Sequence, residues 1–274
     1  MEGRLPFGEY ETWYRVVGDG EDPGRTPLLA LHGGPGGTHA PLEGLAALAQ
    51  QGRRVVFYDQ LGGGDSDKPD DPSLWTVETF LEQLRSVREG LGLERLHLFG
   101  TSWGGMLALE YALTEPEGLA SLVLNSTPIS APRWAGETLR LHAELPAGLD
   151  EEAAAKEFWR RHICRLEPEP EALGRTRAKF GTQVYETMWG PNEFTVTGTL
   201  RDWDVAGRLG AIEVPTLITS GRYDECTPAL VEPLHRGIAG SEWVLFEEGS
   251  HTSLLEEPER YLEVIGGFLE RVES

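Results

Sequence analysis

The segment Gly100-Thr101-Ser102-Trp103-Gly104-Gly105 follows the apolar run Leu96–Phe99 and precedes a helical pattern. It matches G-x-S-x-G between a strand and a helix, which is the context that this pattern requires. Where a chain turns this sharply, small residues two positions before and after the serine relieve crowding and expose its hydroxyl. Gly100 and Gly104 hold those positions, so the stretch predicts Ser102 as a nucleophile.

Short apolar runs alternate with helical patterns on both sides of this motif. The runs that predict strands are Leu28–Leu31, Val55–Tyr58, Leu96–Phe99, Leu119–Leu124, Thr216–Thr219 and Trp243–Phe246, and helical spacing occurs in Val77–Leu91, Trp103–Leu113 and Pro258–Val272. Runs that are apolar at nearly every position are typical of a parallel sheet covered on both faces. Strands that alternate with helices predict an α/β fold, a mostly parallel sheet flanked by helices.

The middle of the chain interrupts this alternation. Between Leu124 and Thr216 there is no clear strand, and helical patterns occupy Leu139–Leu145, Glu151–Ile163 and Glu171–Tyr185, with proline-rich breaks between them. We therefore predict a helical cap at residues 131–203, inserted between a first core segment at 1–130 and a second at 204–274.

Composition narrows the class of protein. The 274 residues include 24 basic and 45 acidic side chains, a net charge of −21, which repels phosphate backbones and anionic lipid. No stretch approaches the about 18 consecutive apolar residues of a membrane helix, and the first residues lack the features of a secretion signal. Two isolated cysteines indicate neither a disulfide framework nor a metal site. We expect a cytoplasmic protein that binds neither nucleic acid nor membrane.

A serine nucleophile requires a base and an acid, which in this fold follow it in the order acid, then histidine. His251 comes directly after the last predicted strand and is the last histidine in the chain. Asp224 follows Thr216–Thr219 through a short turn, at the sheet edge where a carboxylate is expected. The neighbouring Glu225 is the alternative acid. Structural roles are predicted for the other histidines, which are His32, His39, His97, His142, His162 and His235.

A second glycine-rich segment, His32-Gly33-Gly34-Pro35-Gly36-Gly37, follows the strand Leu28–Leu31. In nucleophile-elbow hydrolases a loop at this place supplies one N–H group of the oxyanion hole, and the residue after the serine supplies the other. We predict Gly34, or its neighbour Gly33, and Trp103 as the two donors. Phosphate binding is disfavoured because the chain is acidic and has no P-loop lysine.

Several blocks together resemble the α/β-hydrolase superfamily, and more closely its proline iminopeptidase family, which includes the tricorn-interacting aminopeptidase type. Besides the two glycine-rich segments, the blocks are Phe57-Tyr58-Asp59-Gln60 with Gly62, Gly64 and Ser66, then Gly190-Pro191-Asn192-Glu193-Phe194-Thr195-Val196-Thr197-Gly198, and Tyr223-Asp224-Glu225-Cys226-Thr227-Pro228. The resemblance implies an α/β-hydrolase fold and a serine aminopeptidase without metal or cofactor. It would release an N-terminal residue, preferably proline, from short peptides through an acyl-enzyme on Ser102.

The same resemblance implies that Glu193 and Glu225 hold the free α-ammonium group of the substrate. Two desolvated carboxylates near the scissile bond would reject a peptide that brings no charge to pair with them. The aromatic side chains of Trp189, Phe194 and Trp203 are candidates for a pyrrolidine pocket, although aromatic residues at such a junction are equally often part of the core.

Other functions are compatible with the same motifs. An amino-acid amidase, a carboxylesterase or a carbon–carbon hydrolase would use the same triad, and the last two would have no need for Glu193 and Glu225. A non-catalytic binding protein on this fold would fail to react with a fluorophosphonate at Ser102. The choice between strict proline preference and a broader N-terminal specificity stays open, and no obligate protein partner is indicated.

Overall fold

A computed structural model describes residues 1–20, 22 and 24–274. Its centre is a mixed sheet, whose strands are β1 (Glu2–Phe7), β2 (Tyr10–Val17), β3 (Leu28–Leu31), β4 (Val55–Tyr58), β5 (Leu96–Thr101), β6 (Leu119–Asn125), β7 (Thr216–Gly221) and β8 (Glu242–Phe246). The spatial order is β1-β2-β4-β3-β5-β6-β7-β8. From β4 to β8 all neighbours are parallel, whereas β1 and β2 pair antiparallel at one edge.

The apolar runs of the central strands are explained by burial on both faces. In β3, Leu29 and Leu31 join one core cluster, while Leu28 and Ala30 join the other. Side chains of a strand alternate between the two faces, so a strand covered on both sides must be apolar throughout. The strand predictions from continuous apolar runs are confirmed for this reason.

Helices flank the sheet, and others lie in the segment between β6 and β7. They are α1 (Val77–Gly90), α2 (Trp103–Ala112), α3 (Ala131–Ala143), α4 (Glu151–Phe158), α5 (Glu171–Ala178), α6 (Thr182–Met188), α7 (Pro228–Gly237), α8 (Ser253–Glu256) and α9 (Pro258–Glu273). Helices α1 and α2 supply apolar residues to the first core cluster. Helix α9 and a 3₁₀ helix, Ala40–Gln51, supply the second. The predicted α/β fold is confirmed.

Helices α3 to α6 follow one another between β6 and β7, where the sequence indicates helices and no strand. Two predicted bounds were wrong. The helix predicted at Leu139–Leu145 begins at Ala131, because Ser130 caps it by accepting a hydrogen bond from the N–H of Arg133. The helix predicted at Glu171–Tyr185 is two helices, since Gly181 N–H bonds to the Gly36 carbonyl between them.

Strands β1 and β2 were missed by the sequence reasoning. β1 alternates exposed and partly buried residues, so it has no continuous apolar run to recognise. It lies at the edge of the sheet and pairs only with β2, an arrangement in which one face stays in contact with water.

Adjacent parallel strands place their carboxyl ends at one edge of the sheet. Leu31 is in register with Gly100 across β3 and β5, and Thr101 is in register with Asn125 across β5 and β6. The loops after β3, β5, β6, β7 and β8 therefore meet at this edge, which is where α/β proteins bind their ligands.

Candidate active site

Ser102 has a backbone conformation that non-glycine residues rarely adopt, with φ 53° and ψ −122°. The turn is closed by two glycines. A Cβ atom at Gly100 would collide with the Gly104 carbonyl, and one at Gly104 would collide with the carbonyls of Leu31 and His32. Strain of about 1–3 kcal/mol at such a residue persists only where its surroundings fix it. Here the Ser102 N–H donates to the carbonyl of Asn125 at 2.9 Å.

His251 and Asp224 form a hydrogen-bonded pair. The imidazole Nδ1 donates to Asp224 Oδ1 at 2.8 Å, and the same oxygen accepts the N–H of Cys226 at 2.8 Å. Asp224 is fully enclosed, at 1% exposure. This arrangement fixes the tautomer in which Nε2 is free to accept a proton.

The pKa of His251 is raised above its ordinary value. Burial acts to lower that pKa, but the charge of Asp224, its hydrogen bond and the charge of Glu193 outweigh burial. Negative neighbours stabilise the imidazolium, which is the form that a general base reaches when it takes a proton from a hydroxyl.

The glycine-rich loop after β3 lies against the nucleophile. A Cβ atom built on Gly33 would stand 3.3 Å from Ser102 Cβ, and Gly34 follows with φ 123°. Trp103 is the first residue of α2, so its N–H has no carbonyl one turn earlier to bond. The loop and the helix N-terminus thus bring main-chain N–H groups to the side of Ser102, as the sequence predicts for an oxyanion hole.

His32 and Gln60 hold this loop in place. His32 Nε2 accepts the N–H of Gln60 at 2.9 Å, and its Nδ1 donates to the Gly33 carbonyl at 2.8 Å. Burial lowers the pKa of His32, which keeps it neutral and able to accept. The Gln60 side chain donates to the His32 carbonyl at 3.1 Å and accepts from Trp103 Nε1 at 2.7 Å. One glutamine therefore connects the loop to the nucleophile turn, a function that its motif block did not indicate.

Ser102 and His251 open into one cavity of about 370 Å³. It is also lined by Tyr185, Glu193, Glu225 and Asn125. In this structure the imidazole of His251 is hydrogen-bonded to Asp224 and makes no hydrogen bond to Ser102 Oγ. Hydrogen bonds between nucleophile and base often become short only when substrate binds.

The two carboxylates predicted to bind an amine face this cavity together. Glu193 Oε1 accepts the Tyr185 hydroxyl at 2.6 Å. Glu225 is 3% exposed, and its Oε2 has no hydrogen-bond partner among the described residues. Glu225 Oε1 is 3.9 Å from His251 Nδ1. Burial, followed by the charges of Glu193 and Asp224, raises the pKa of Glu225 well above its ordinary value.

Glu193 is partly exposed, and burial raises its pKa, while the Tyr185 hydrogen bond and the charge of His251 act in the opposite direction. When two carboxyl groups lie close together with no cation nearby, the charge of each disfavours the ionised form of the other. A ligand cation between them would stabilise both charges.

The three aromatic side chains proposed for a pyrrolidine pocket do not line this cavity. Trp189 is buried against Trp134, with ring centroids 6.0 Å apart. Phe194 packs on Phe158 at 5.0 Å, and the indole N–H of Trp203 donates to Glu110 at 2.8 Å. The aromatic side chains on the cavity wall are instead Phe99, Trp159, Phe180 and Tyr185.

A π-helical turn, Trp159–Ile163, continues α4 and reaches the loop that carries the histidine. The carbonyl of His162 accepts the N–H of His251 at 3.1 Å. The carbonyl of Ile163 accepts the N–H of Thr252 at 3.1 Å, its hydroxyl at 2.8 Å and the Ser250 hydroxyl at 2.9 Å. Helical segments with i→i+5 bonding occur frequently at functional sites.

Asn125 is a further site residue that the sequence did not reveal. Its amide nitrogen donates to Thr101 at 2.9 Å, and its amide oxygen accepts from Thr219 at 2.9 Å. It thereby connects β5, β6 and β7 below the nucleophile. No local pattern distinguishes such an asparagine from one in a loop.

Within residues 1–20, 22 and 24–274, no three His, Cys, Asp or Glu side chains are grouped in a way that would hold a metal ion. The helices in the same ranges include none long and apolar enough to cross a membrane.

A serine on a strained strand-to-helix turn and a His–Asp pair at the same sheet edge define a serine hydrolase of the α/β-hydrolase class. The family model for the alpha/beta hydrolase fold matches residues 26–258. The proline iminopeptidase of Lactobacillus acidophilus is 42% identical to the chain, with 98% of each protein covered. The chain belongs to the proline iminopeptidase family, as its sequence motifs predicted.

Solved structures agree with this assignment. The proline iminopeptidase of Mycobacterium smegmatis is 38% identical, with a TM-score of 0.94 over 100% of this chain and 99% of that one. The crystal structure of VinJ is 41% identical, also with a TM-score of 0.94, over 99% of both chains. The predicted α/β-hydrolase fold is confirmed.

Proposed function

We propose that this protein is a serine aminopeptidase that releases the N-terminal residue, preferably proline, from short peptides or aminoacyl amides. The observation that carries the proposal is the pair Glu193 and Glu225 in the cavity that holds Ser102. An esterase has no use for two carboxyl groups beside its nucleophile, because they must be desolvated without a cation to pair with them. Proline as the preferred residue is supported by the names of the relatives.

The reaction follows from the roles of the triad. Ser102 Oγ attacks the carbonyl carbon of the N-terminal residue while His251 Nε2 takes the hydroxyl proton. The resulting oxyanion accepts hydrogen bonds from the N–H of Trp103 and from that of Gly34 or Gly33. The C–N bond then breaks, His251 returns the proton to the leaving amine, and an ester on Ser102 remains. Water hydrolyses this ester with His251 again acting as base.

Recognition of the amine explains why only a terminal residue is removed. The α-ammonium group donates to Glu193 and to the unpartnered oxygen of Glu225, and it stabilises their ionised forms. An acetylated or internal residue brings an uncharged amide instead, which leaves both carboxyl groups without a cation. Sites with buried polar groups reject a ligand that cannot pair with them by large factors.

We propose that residues 131–203 act as a cap that completes this site, with 1–130 and 204–274 as the two parts of the catalytic core. Tyr185 and Glu193 come from that segment, while Ser102 and His251 come from the loops of the sheet. We also propose a cytoplasmic location, supported by the two buried free thiols, Cys164 and Cys226.

The first test is release of naphthylamine from a panel of aminoacyl substrates, each with a free and an acetylated N-terminus. Ser102→Ala is the blank. We expect cleavage only of substrates with a free N-terminus, and we expect the prolyl substrate to be among those cleaved fastest. We expect Glu225→Gln to lose at least about ten-fold in kcat/KM, as a lost charged hydrogen bond of 1.5–3 kcal/mol implies. Equal cleavage of acetylated substrates would contradict the amine site and favour a carboxylesterase.

An amino-acid amidase with broad N-terminal specificity is the second candidate. It is favoured by one observation: Trp189, Phe194 and Trp203, the three aromatic residues that the sequence suggested for a pyrrolidine pocket, do not line the cavity. Hydrolysis of prolinamide, leucinamide and alaninamide distinguishes the amidase from the prolyl aminopeptidase. Similar kcat/KM values for all three support the amidase, and a clear preference for prolinamide supports the prolyl aminopeptidase.

A further inference from the structure

Part of the cavity wall is apolar and takes no part in the steps above. Its side chains belong to Pro41, Leu42, Ile163, Leu173, Leu254 and Leu255, and we call them the apolar wall. The N-terminal residue of a substrate spans only the short distance from its ammonium group to the attacked carbonyl. The apolar wall is therefore available to whatever follows the scissile bond.

The residues of the apolar wall come from four helical segments, one of which is the π-helical turn that contains Ile163. Leu42 belongs to the 3₁₀ helix, Leu173 to α5 and Leu254 to α8. The side chain of Leu254 lies 3.5 Å from the Cβ position of Gly44 in the 3₁₀ helix. Helix α5 is joined to the loop before the 3₁₀ helix by a 2.9 Å hydrogen bond between the hydroxyls of Thr176 and Thr38.

The position of His251 indicates which side of the scissile bond this wall faces. Its Nδ1 points to Asp224 and lies 3.9 Å from Glu225, so one of the two proposed amine-binding carboxylates lies near the Nδ1 side of the ring. The leaving amine must approach Nε2, because that atom returns the proton. Leu254 and Leu255 follow His251 by three and four residues and line the same cavity.

The positive charge that lines the cavity is already paired. Arg177 is the only lysine or arginine among the described residues that line the cavity, and its guanidinium is paired with Glu169 at 2.6 Å. A free carboxylate after the scissile bond would thus find no unpaired cation there. The cavity lining also includes Trp159, which is 37% exposed.

We propose that the site selects substrates in which an apolar, uncharged group follows the N-terminal residue. Such a group is an apolar second residue whose chain continues as an amide, or an apolar amine. This inference rests on the proposed aminopeptidase function and concerns the leaving side of the same cavity.

The test compares Pro-Leu-NH₂, Pro-Ser-NH₂ and the free acid Pro-Leu as substrates of the intact protein. Burial of a leucine side chain contributes about 1.5–3 kcal/mol, and 1.4 kcal/mol corresponds to ten-fold. We therefore expect kcat/KM for Pro-Leu-NH₂ to exceed that for each of the other two by at least about ten-fold. Leu255→Asn, at a partly exposed position of the apolar wall, should reduce the preference for leucine over serine.

Leu139→Asn is the matched control, since Leu139 is 54% exposed and does not line the cavity. It should leave the leucine preference unchanged. Equal cleavage of the leucine and serine amides would overturn this inference and leave the aminopeptidase function intact. An equal loss of preference in both variants would overturn the assignment to the apolar wall. If no prolyl substrate is cleaved by folded protein, the proposed function fails, and this inference fails with it.

Discussion

The main-chain N–H of His251 donates a 3.1 Å hydrogen bond to the carbonyl of His162 in the π-helical turn. The imidazole of His162 in turn donates from Nδ1 to the carbonyl of Tyr223 at 2.9 Å, directly before Asp224. One residue between β6 and β7 thus contacts the loops of both the base and the acid. The geometry of the triad therefore depends on the segment that also supplies Tyr185 and Glu193 to the cavity.

This relationship predicts that His162 is a positioning residue. His162→Ala removes a hydrogen bond of about 0.5–1.5 kcal/mol from the Asp224 loop, so we expect kcat to fall by up to about ten-fold with little change in KM. His162→Asn keeps a donor near the place of Nδ1 and should recover most of that loss. The measurement is steady-state kinetics with a prolyl naphthylamide.

His142→Ala is the control for this variant. His142 also lies between β6 and β7, and its ring packs on Phe194 with centroids 4.7 Å apart. It should leave kcat nearly unchanged. If kcat fell as far in His162→Asn as in His162→Ala, loss of the hydrogen bond to Tyr223 would not be the cause of the lower kcat.

The three residues of the candidate triad could be predicted from the sequence, whereas the contacts that hold them in place could not. Ser102 is marked by two glycines within two residues, because the backbone crowding that they relieve is local. His251 and Asp224 follow from chain order and strand ends. The contacts of His162 and Gln60 join segments distant in sequence, so only the packed structure reveals them.

The pH dependence of Ser102 reactivity is predicted by the raised pKa of His251. Below that pKa the imidazole is protonated and cannot take the serine proton. Inactivation by an uncharged fluorophosphonate should therefore rise with pH, with a midpoint above the ordinary histidine value of about 6.5. In Glu193→Gln one of the charges that raise this pKa is lost, so the midpoint should move to lower pH.

The probe carries no amine, so a binding role of Glu193 does not affect this measurement. Glu186→Gln is the matched control, since Glu186 lies on the exposed side of α6. Its midpoint should equal that of the unmodified protein. An unchanged midpoint in Glu193→Gln would show that Glu193 does not influence the imidazole.

The backbone at Ser102 predicts an unusual order of stability between two inactive variants. Glycine adopts φ 53° and ψ −122° without strain, whereas alanine does not. We expect Ser102→Gly to be more stable than Ser102→Ala by about 1 kcal/mol, measured by urea unfolding. In the middle of α4, Ala155→Gly should have the opposite effect and destabilise by about 0.5–1 kcal/mol. If Ser102→Ala is the more stable variant, the turn is not strained.

A buried ion pair at the opposite edge of the sheet predicts acid sensitivity. Arg53 is 0% exposed, and its guanidinium donates to Glu273 of α9 at 2.8 and 3.1 Å. His97 Nε2 donates to the same carboxylate at 3.1 Å. Burial acts to raise the pKa of Glu273, but hydrogen bonds from Arg53, Arg25 and His97 outweigh it and lower the pKa to about 2.

A carboxylate with a depressed pKa stabilises the fold fully above its unfolded pKa of about 4.3 and loses this contribution as pH falls towards about 2. Glu273→Gln leaves the buried Arg53 without a counter-charge, so we expect the free energy of unfolding to fall by about 3–5 kcal/mol at pH 7. The stability of this variant should also fall less steeply than that of the unmodified protein between pH 5 and pH 3. Urea unfolding across this range measures both effects. Glu270→Gln, at a half-exposed position on the same helix, should change stability by about 0.5 kcal/mol or less. If Glu273→Gln and Glu270→Gln lower the free energy of unfolding by the same small amount, the Arg53–Glu273 pair does not stabilise α9.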